Sequence, residues 1–422
     1  MIKSFIFDNF KSFDKAVLNI EKITTLIGTN ASGKSNAIEG IQILSELSFG
    51  REVSLILEGT KNAESTIRGG AKGCCRFRSS SFSLGCVVDL NDNSDLLYRI
   101  KIEVGSRICI IDESLYIVAN GSTNASNGKL IFKTKDNKSG DSGDIWAEYN
   151  NGKRGPNPEL SVIRTMSVLS QIISKIPSDI VIYDDIVHAI SIVRNNLKQI
   201  FILDPSPAAM RDYSRIGDAT LRRNCSNISS VLFDLQKSSG YWNILTEIVQ
   251  SLPEHEIRGI DFVKTTIQDV VFVLKEESGK SYESIEAGRL SDGTLRCIAA
   301  ITALMSEPEN SLVIIEEVDN GIHPSRAKHL LDALIKLSDI RHIDLMFTTH
   351  NVSLLNALPK EGILGVSVAY RDLENKAGKF IPFVDIKNYP GLLAIGGIGN
   401  ALEKESILHA IKDSSPDGPF LF

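Results

Sequence analysis

Gly28 and Gly33 bracket Thr29, Asn30, Ala31 and Ser32, and Lys34 and Ser35 follow at once. This is the spacing GxxxxGK[ST], whose chemistry is the grip on a polyphosphate. Glycine at both ends of the loop lets backbone N–H groups turn inward onto anionic oxygens, at the positive end of the helix that follows. An ammonium at Lys34 is placed to reach β- and γ-phosphates, and the hydroxyl of Ser35 to ligate Mg²⁺.

Three further groups could complete such a reaction. The run from Ser311 to Asn320 is hydrophobic and then ends in two adjacent carboxylates, Glu316 and Glu317. A buried strand has no structural use for them, whereas ligands of α/β sheets bind at strand ends. Glu316 suits the Mg²⁺ shell, and Glu317 suits polarising the water that attacks a γ-phosphate. Leu290 to Thr294 read as a helix start, with Ser291 as cap, Asp292 in the first turn and Gly293 permitting close backbone approach. A second helix N-terminus of this kind asks for a second phosphate group. His350 ends the stretch IDLMFTTH, where a neutral imidazole can contact a γ-phosphate; the plainer reading is a polar strand terminator.

The elements that must hold these groups are legible as well. Residues 1–27 alternate as strands, and from Ser35 the apolar positions Ile38, Ile41, Leu44 and Leu47 line one helical face, so the glycine loop joins a strand to a helix. Residues 80–150 read as strands separated by polar turns. The period changes over 158–252, where stretches such as LSVIRTMSVLSQIISKI carry helical spacing. The α/β pattern then returns, with a helix expected from Pro324 to Leu337, and the plain reading of His323 and Pro324 is that they begin it. Three parts are therefore expected: residues 1–157 as an N-terminal half with a β-rich lobe, 158–255 as a helical insertion, and 256–422 as a C-terminal half. No internal repeat or heptad array points to a long coiled-coil arm.

Composition narrows the setting. The 422 residues carry 46 basic and 52 acidic side chains for a net charge of -6, so no global positive field advertises nucleic acid, and any such contact must be a local patch. Arg68, Lys72, Arg76 and Arg78 form one basic segment that is either a phosphate contact or a solvated loop. Six cysteines without CxxC spacing predict reduced, mostly buried thiols. The absence of an apolar run long enough to cross a bilayer, or of a signal-peptide core, predicts a cytoplasmic protein with no membrane partner.

With these motifs in this order the sequence resembles the ABC-type ATPases of the RecF, SMC and OLD group, and among them the compact bacterial AAA-type ATP-binding proteins. FDNFKSF followed by GTNASGKSN is similar to that group's first strand and Walker A, RLSDGTLR to its signature, IIEEVDNGIHP to its Walker B and D-loop, and MFTTHN to its His switch. DPSPAAMRD and NCSNISSVLFDL resemble a region carried between the two halves of the site. Asp292 departs from a glycine of the transporter signature, Glu316 from a usual Asp and Val318 from a usual Pro. The resemblance implies an α/β fold, an ABC-type RecF/SMC-like P-loop domain with a β-rich lobe and a helical insertion.

It also implies a Mg²⁺-dependent ATPase with ATP and Mg²⁺ as cofactors. Catalysis would rest on Glu317, Glu316, Lys34 and His350, and nucleotide contacts on residues 28–35 with Asn36, Ser291, Asp292, Gly293 and the D-loop Asp319. The metal set would be Ser35, Glu316 and, as a Q-loop candidate, Gln171, for which a helix-surface glutamine is the alternative. Two copies would clamp two ATP molecules head to tail, as a homodimer or higher oligomer. The implied roles are an ATP-gated regulator or DNA sensor of antiphage defence acting with a separate nuclease or toxin, or a RecF-like DNA repair clamp. A transporter subunit fits least, since FDNFKSF and the long insert belong to the RecF and SMC side. No nuclease set follows His350.

Overall fold

The computed structural model describes residues 1–60, 63–65, 67–135, 143–250, 257–278, 281–322, 324–372, 374–394 and 396–414. His323 lies outside them. The chain forms two compact units that interleave along the sequence. The first comprises residues 1–20, 29–200 and 369–381; the second comprises 21–28, 201–368 and 382–422. These units cut across the three consecutive parts expected from the sequence.

In the first unit an antiparallel meander runs Ser81–Asn91, Ser94–Val104, Ile108–Ala119, Lys129–Thr134, Asp144–Tyr149 and Glu159–Ile163, each strand pairing with the next. Ile2–Phe10 adds to Ser81–Asn91 on its other side, and Phe13–Asn19 adds to Ile2–Phe10. Polar turns of a few residues suffice for such connections, which is why the β-rich reading of 80–150 holds. Phe7, Phe10, Phe13 and Phe82 stack into one aromatic cluster with ring centroids 5.1–6.3 Å apart.

The expected helical stretch begins differently. Glu159–Ile163 is a strand, and helix appears only at Val168–Gln171, followed by a 3₁₀ turn at Ile172–Ser174. The strand is held by its pairing with Asp144–Tyr149. At the helix start Ser167 caps Ser170 N–H, and Glu113, fully buried, accepts the N–H groups of Val168 (2.7 Å) and Leu169 (2.8 Å) and the Tyr98 hydroxyl (2.9 Å). Tyr183–Lys198 belongs to this unit, whereas Ile228–Leu235 and Ser239–Gln250 belong to the second, so the helices do not form one insertion.

Burial raises Glu113 from 4.5 to about 7 against the pull of its three hydrogen bonds. A folded-state value above the unfolded one gives stability that is fully present below about 4.5 and is lost as pH rises through about 7. Glu113→Gln should therefore flatten the decline of the urea midpoint between pH 5 and pH 7.5. An unaltered slope in that variant would place the titration elsewhere.

The second unit is built on parallel strands in the order Val366–Arg371 (through Val368), Ile23–Ile27, Asp344–Thr348 and Leu312–Ile315. Near-continuous burial of ITTLI, DLMFT and LVII is what a parallel strand covered on both faces requires. Asp292–Ser306 and Pro324–Arg341 share its hydrophobic core. A smaller antiparallel sheet centres on Asp269–Ser278, flanked on one side by Ile257–Lys264 and on the other by Ser281–Glu286 and the short Ser214–Arg215. Five of the six free cysteines are buried, with Cys75 half-buried, and burial pushes the Cys74 thiol up to about 12, as inert packing residues require. Among the described residues no helix is long and apolar enough to cross a membrane.

Candidate nucleotide site

In the first unit the helix Lys34–Ser48 begins at Gly33 with no side-chain cap and no acidic residue in its first turn. A helix so begun leaves the dipole's positive end for an external anion. Gly28 (φ 144°) and Gly33 (φ 116°) have the positive angles that the loop needs, and Ala31 joins them at 63°. Ser32 is buried and its hydroxyl has no partner among the described residues. Such an orphaned polar group suits a site whose ligand is polar. Lys34 lays its Nζ 3.1 Å from the Thr29 carbonyl, across the loop it would neutralise.

The requirement for glycine at 33 is also one of packing. A Cβ there would stand 2.9 Å from the Phe13 ring and from Ser12 Oγ, and a Cβ on Gly378 would stand 2.8 Å from the same ring. Asn36 donates Nδ2 to Ser12 Oγ at 2.9 Å. FDNFKSF thus supplies the floor of the loop, a role its alternation as a strand does not reveal. Behind it, Glu39 of the same helix receives Lys11 and, at 2.5 Å, Arg68.

Half of the basic segment is committed within the protein. Arg68 is held by Glu39, and Arg76 donates to the carbonyls of Ser12 (3.0 Å) and Asn375 (3.1 Å). Of the four cations proposed for phosphate, two brace this corner, which favours the plainer reading of the segment. Gln171 is likewise engaged. Its Nε2 donates to the carbonyls of Ile163, Met166 and Ser167, and its Oε1 accepts Ile163 N–H at 3.1 Å. Its amide closes the turn between strand and helix, so Gln171 is withdrawn from the metal set.

In the second unit Glu316 and Glu317 are exposed just beyond the strand Leu312–Ile315. Glu317 has a left-handed backbone (φ 50°), donates its N–H to Thr348 Oγ1 (2.8 Å) and accepts Asn320 Nδ2 (3.2 Å). Val318 N–H reaches the Thr348 carbonyl at 3.1 Å. The end of the strand leading to His350 therefore fixes the carboxylate's backbone, and exposed His350 follows two residues later, before Asn351 caps the next helix. Asp319 keeps a buried Oδ1 without a partner among the described residues.

Ser291 caps the helix Asp292–Ser306, its Oγ accepting Thr294 N–H at 3.1 Å. The next finding was hidden in the sequence. A Cβ on Gly293 would lie 2.2 Å from the Gly321 carbonyl oxygen, so the signature glycine and the D-loop are in backbone contact. Arg211, from DPSPAAMRD, clasps the same corner through the Leu290 carbonyl (2.9 Å) and Asp292 (2.7 Å). A charge opposite Asp292 was the available signal, but 81 residues separate the pair. Among the described residues no three of His, Cys, Asp and Glu gather as a metal site of their own.

Residues 198–356 match the family described as "AAA domain, putative AbiEii toxin, Type IV TA system". The match includes Ser291, Glu316, Glu317 and His350, and it begins after the glycine loop. Among solved structures the chain is similar to an SMC head bound to the C-terminal winged-helix domain of ScpA, at 14% identity and a TM-score of 0.48 over 90% of this chain and 97% of that one. It is also similar to the SMC head domain of Thermotoga maritima, at 12% identity and a TM-score of 0.42 over 90% and 98%. A third is the SMC head from Pyrococcus furiosus with an extended coiled coil and the C-terminal domain of ScpA, at 12% and 0.46 over 90% and 95%. No curated protein matches the sequence. The expected α/β class stands on the parallel strands and helices of the second unit.

Proposed function

We propose that this chain, of which residues 198–356 match an AAA domain, binds and hydrolyses Mg²⁺-ATP at sites completed between two copies. Residues 28–36 hold the phosphates, Lys34 neutralises them, and Ser35 and Glu316 hold Mg²⁺. Glu317 orients the attacking water, and His350 meets the γ-phosphate. The observation that carries the shared site is the capped helix at Ser291 with Gly293 seated on the D-loop Gly321. The ladder of that helix cannot satisfy its first N–H groups, and a phosphate can. ATP then governs dimerisation, Asp319 lying in the loop that would face the partner.

The family's description, a putative toxin of a Type IV TA system, supports the biological reading. An ATP-gated dimer related to an AbiEii-type AAA domain fits the regulatory ATPase of a cytoplasmic antiphage system with a separate nuclease or toxin effector. Two of the four basic side chains once available for DNA are committed within the protein, which weakens the repair-clamp alternative. Expression with its neighbouring genes and identification of what co-purifies decides between them: a nuclease or toxin supports this reading, and recombination proteins reverse it.

The shared site has its own test. A Lys34→Ala chain and a Ser291→Arg chain should each be inactive alone, and mixing them should restore part of the hydrolysis, because one heterodimer site then has both an intact loop and an intact signature. Ser291→Arg should still bind ATP. Full activity of that variant as a monomer would defeat the shared site.

A further inference from the structure

The nucleotide loop is gripped from outside by a residue far along the chain. Arg371, which ends the strand Val366–Arg371, donates Nε to the Ala31 carbonyl at 2.9 Å and Nη1 to the Lys376 carbonyl at 3.2 Å. Ala31 is the non-glycine residue of the loop with a left-handed backbone, a conformation that side chains disfavour and that needs outside support. A carbonyl oxygen turned towards a polyphosphate repels it, and this carbonyl is occupied by a guanidinium.

Arg371 is itself held by a built turn. Asp372 accepts the N–H groups of Glu374 (3.1 Å) and Asn375 (3.2 Å) and pairs with Lys379 at 2.5 Å. The Lys379 hydrogen bond, chief among these, holds the Asp372 carboxyl below its ordinary range. Arg76 then ties Asn375 to the Ser12 carbonyl, and Gly378 N–H reaches the same carbonyl at 2.8 Å. The turn is thus anchored on the corner that floors Gly33, so Arg371 approaches Ala31 from a fixed base.

We propose that Arg371 is a positioning residue for ATP, holding Ala31 in its left-handed form so that the loop's amides converge on the phosphates. The proposal rests on the reading of residues 28–35 as the phosphate seat. Because the grip acts on the loop, the adenine should be indifferent to it.

Calorimetric titration of ATP and of inorganic tripolyphosphate into wild type, Arg371→Ala, Arg371→Lys and Lys34→Ala tests this, with thermal unfolding of each ligand-free chain. Arg371→Ala should lose about tenfold to a hundredfold in affinity for both ligands, the value of a charged hydrogen bond, while the ligand-free chain still unfolds in one cooperative transition, lowered by no more than the loss of its two exposed hydrogen bonds. Arg371→Lys, which keeps one donor for Ala31, should recover most of it. Wild-type affinity in Arg371→Ala beside a non-binding Lys34→Ala overturns the role of Arg371 alone. A loss for ATP without a loss for tripolyphosphate also overturns it, by assigning Arg371 to the base or sugar. Undiminished ATP binding by Lys34→Ala overturns the phosphate seat, and this proposal with it. Should Arg371→Ala fail to fold, Arg371→Lys against Arg371→Gln decides, equal affinities overturning the role.

Discussion

Lys34→Ala should abolish ATP binding at concentrations that saturate the wild type. The ammonium is the first side chain of an uncapped helix and lies against the Thr29 carbonyl, so it spans the loop into which several negative oxygens must fit. Truncating one partner of a close charge pair costs roughly 2–5 kcal/mol, or about thirtyfold to several thousandfold in affinity. The backbone amides remain, but their partial charges cannot replace a full one. Calorimetry with ATP and Mg²⁺ checks this, and affinity equal to wild type would remove the phosphate-loop reading. Circular dichroism should show the fold retained, since Gly33 and Phe13, rather than Lys34, pack the corner.

Glu317→Gln should bind ATP, turn it over roughly 10²- to 10⁴-fold more slowly, and accumulate as a closed dimer. Glutamine keeps the size of the side chain and an oxygen for Asn320 Nδ2, and it leaves untouched the backbone bond to Thr348 that fixes position 317. What it removes is the negative oxygen that, on the proposed role, would take up a proton from water. Single-turnover hydrolysis and light scattering with ATP measure both consequences. Hydrolysis at the wild-type rate would show that another group is the base, and Glu316→Gln, expected instead to weaken the Mg²⁺ dependence, then becomes the comparison.

Residues 28–35, the capped helix at Ser291 and the acid pair after Leu312–Ile315 were all legible in the sequence, because each depends on neighbours within about one helical turn. Glycine placement, a serine cap and an apolar run constrain the backbone wherever they occur. The β-rich lobe was legible for the same reason, since its strands pair with their sequence neighbours through polar turns.

What the tertiary structure decided are pairings between distant residues. Phe13 explains Gly33 and Gly378, Gly321 explains Gly293, and Arg211 answers Asp292. Pairing with Asp144–Tyr149 overrode the helical spacing near 160, leaving Glu159–Ile163 as a strand, while Glu113 met the amides of the helix that follows. Gln171, Arg68 and Arg76 looked available only because their partners, backbone carbonyls and a buried Glu39, leave no signature in residue type. Sequence alone marked the candidate groups for phosphate chemistry, because that depends on local backbone geometry. Tertiary structure decided which polar groups remain available for it, because a hydrogen bond already made within the protein is withdrawn from the ligand.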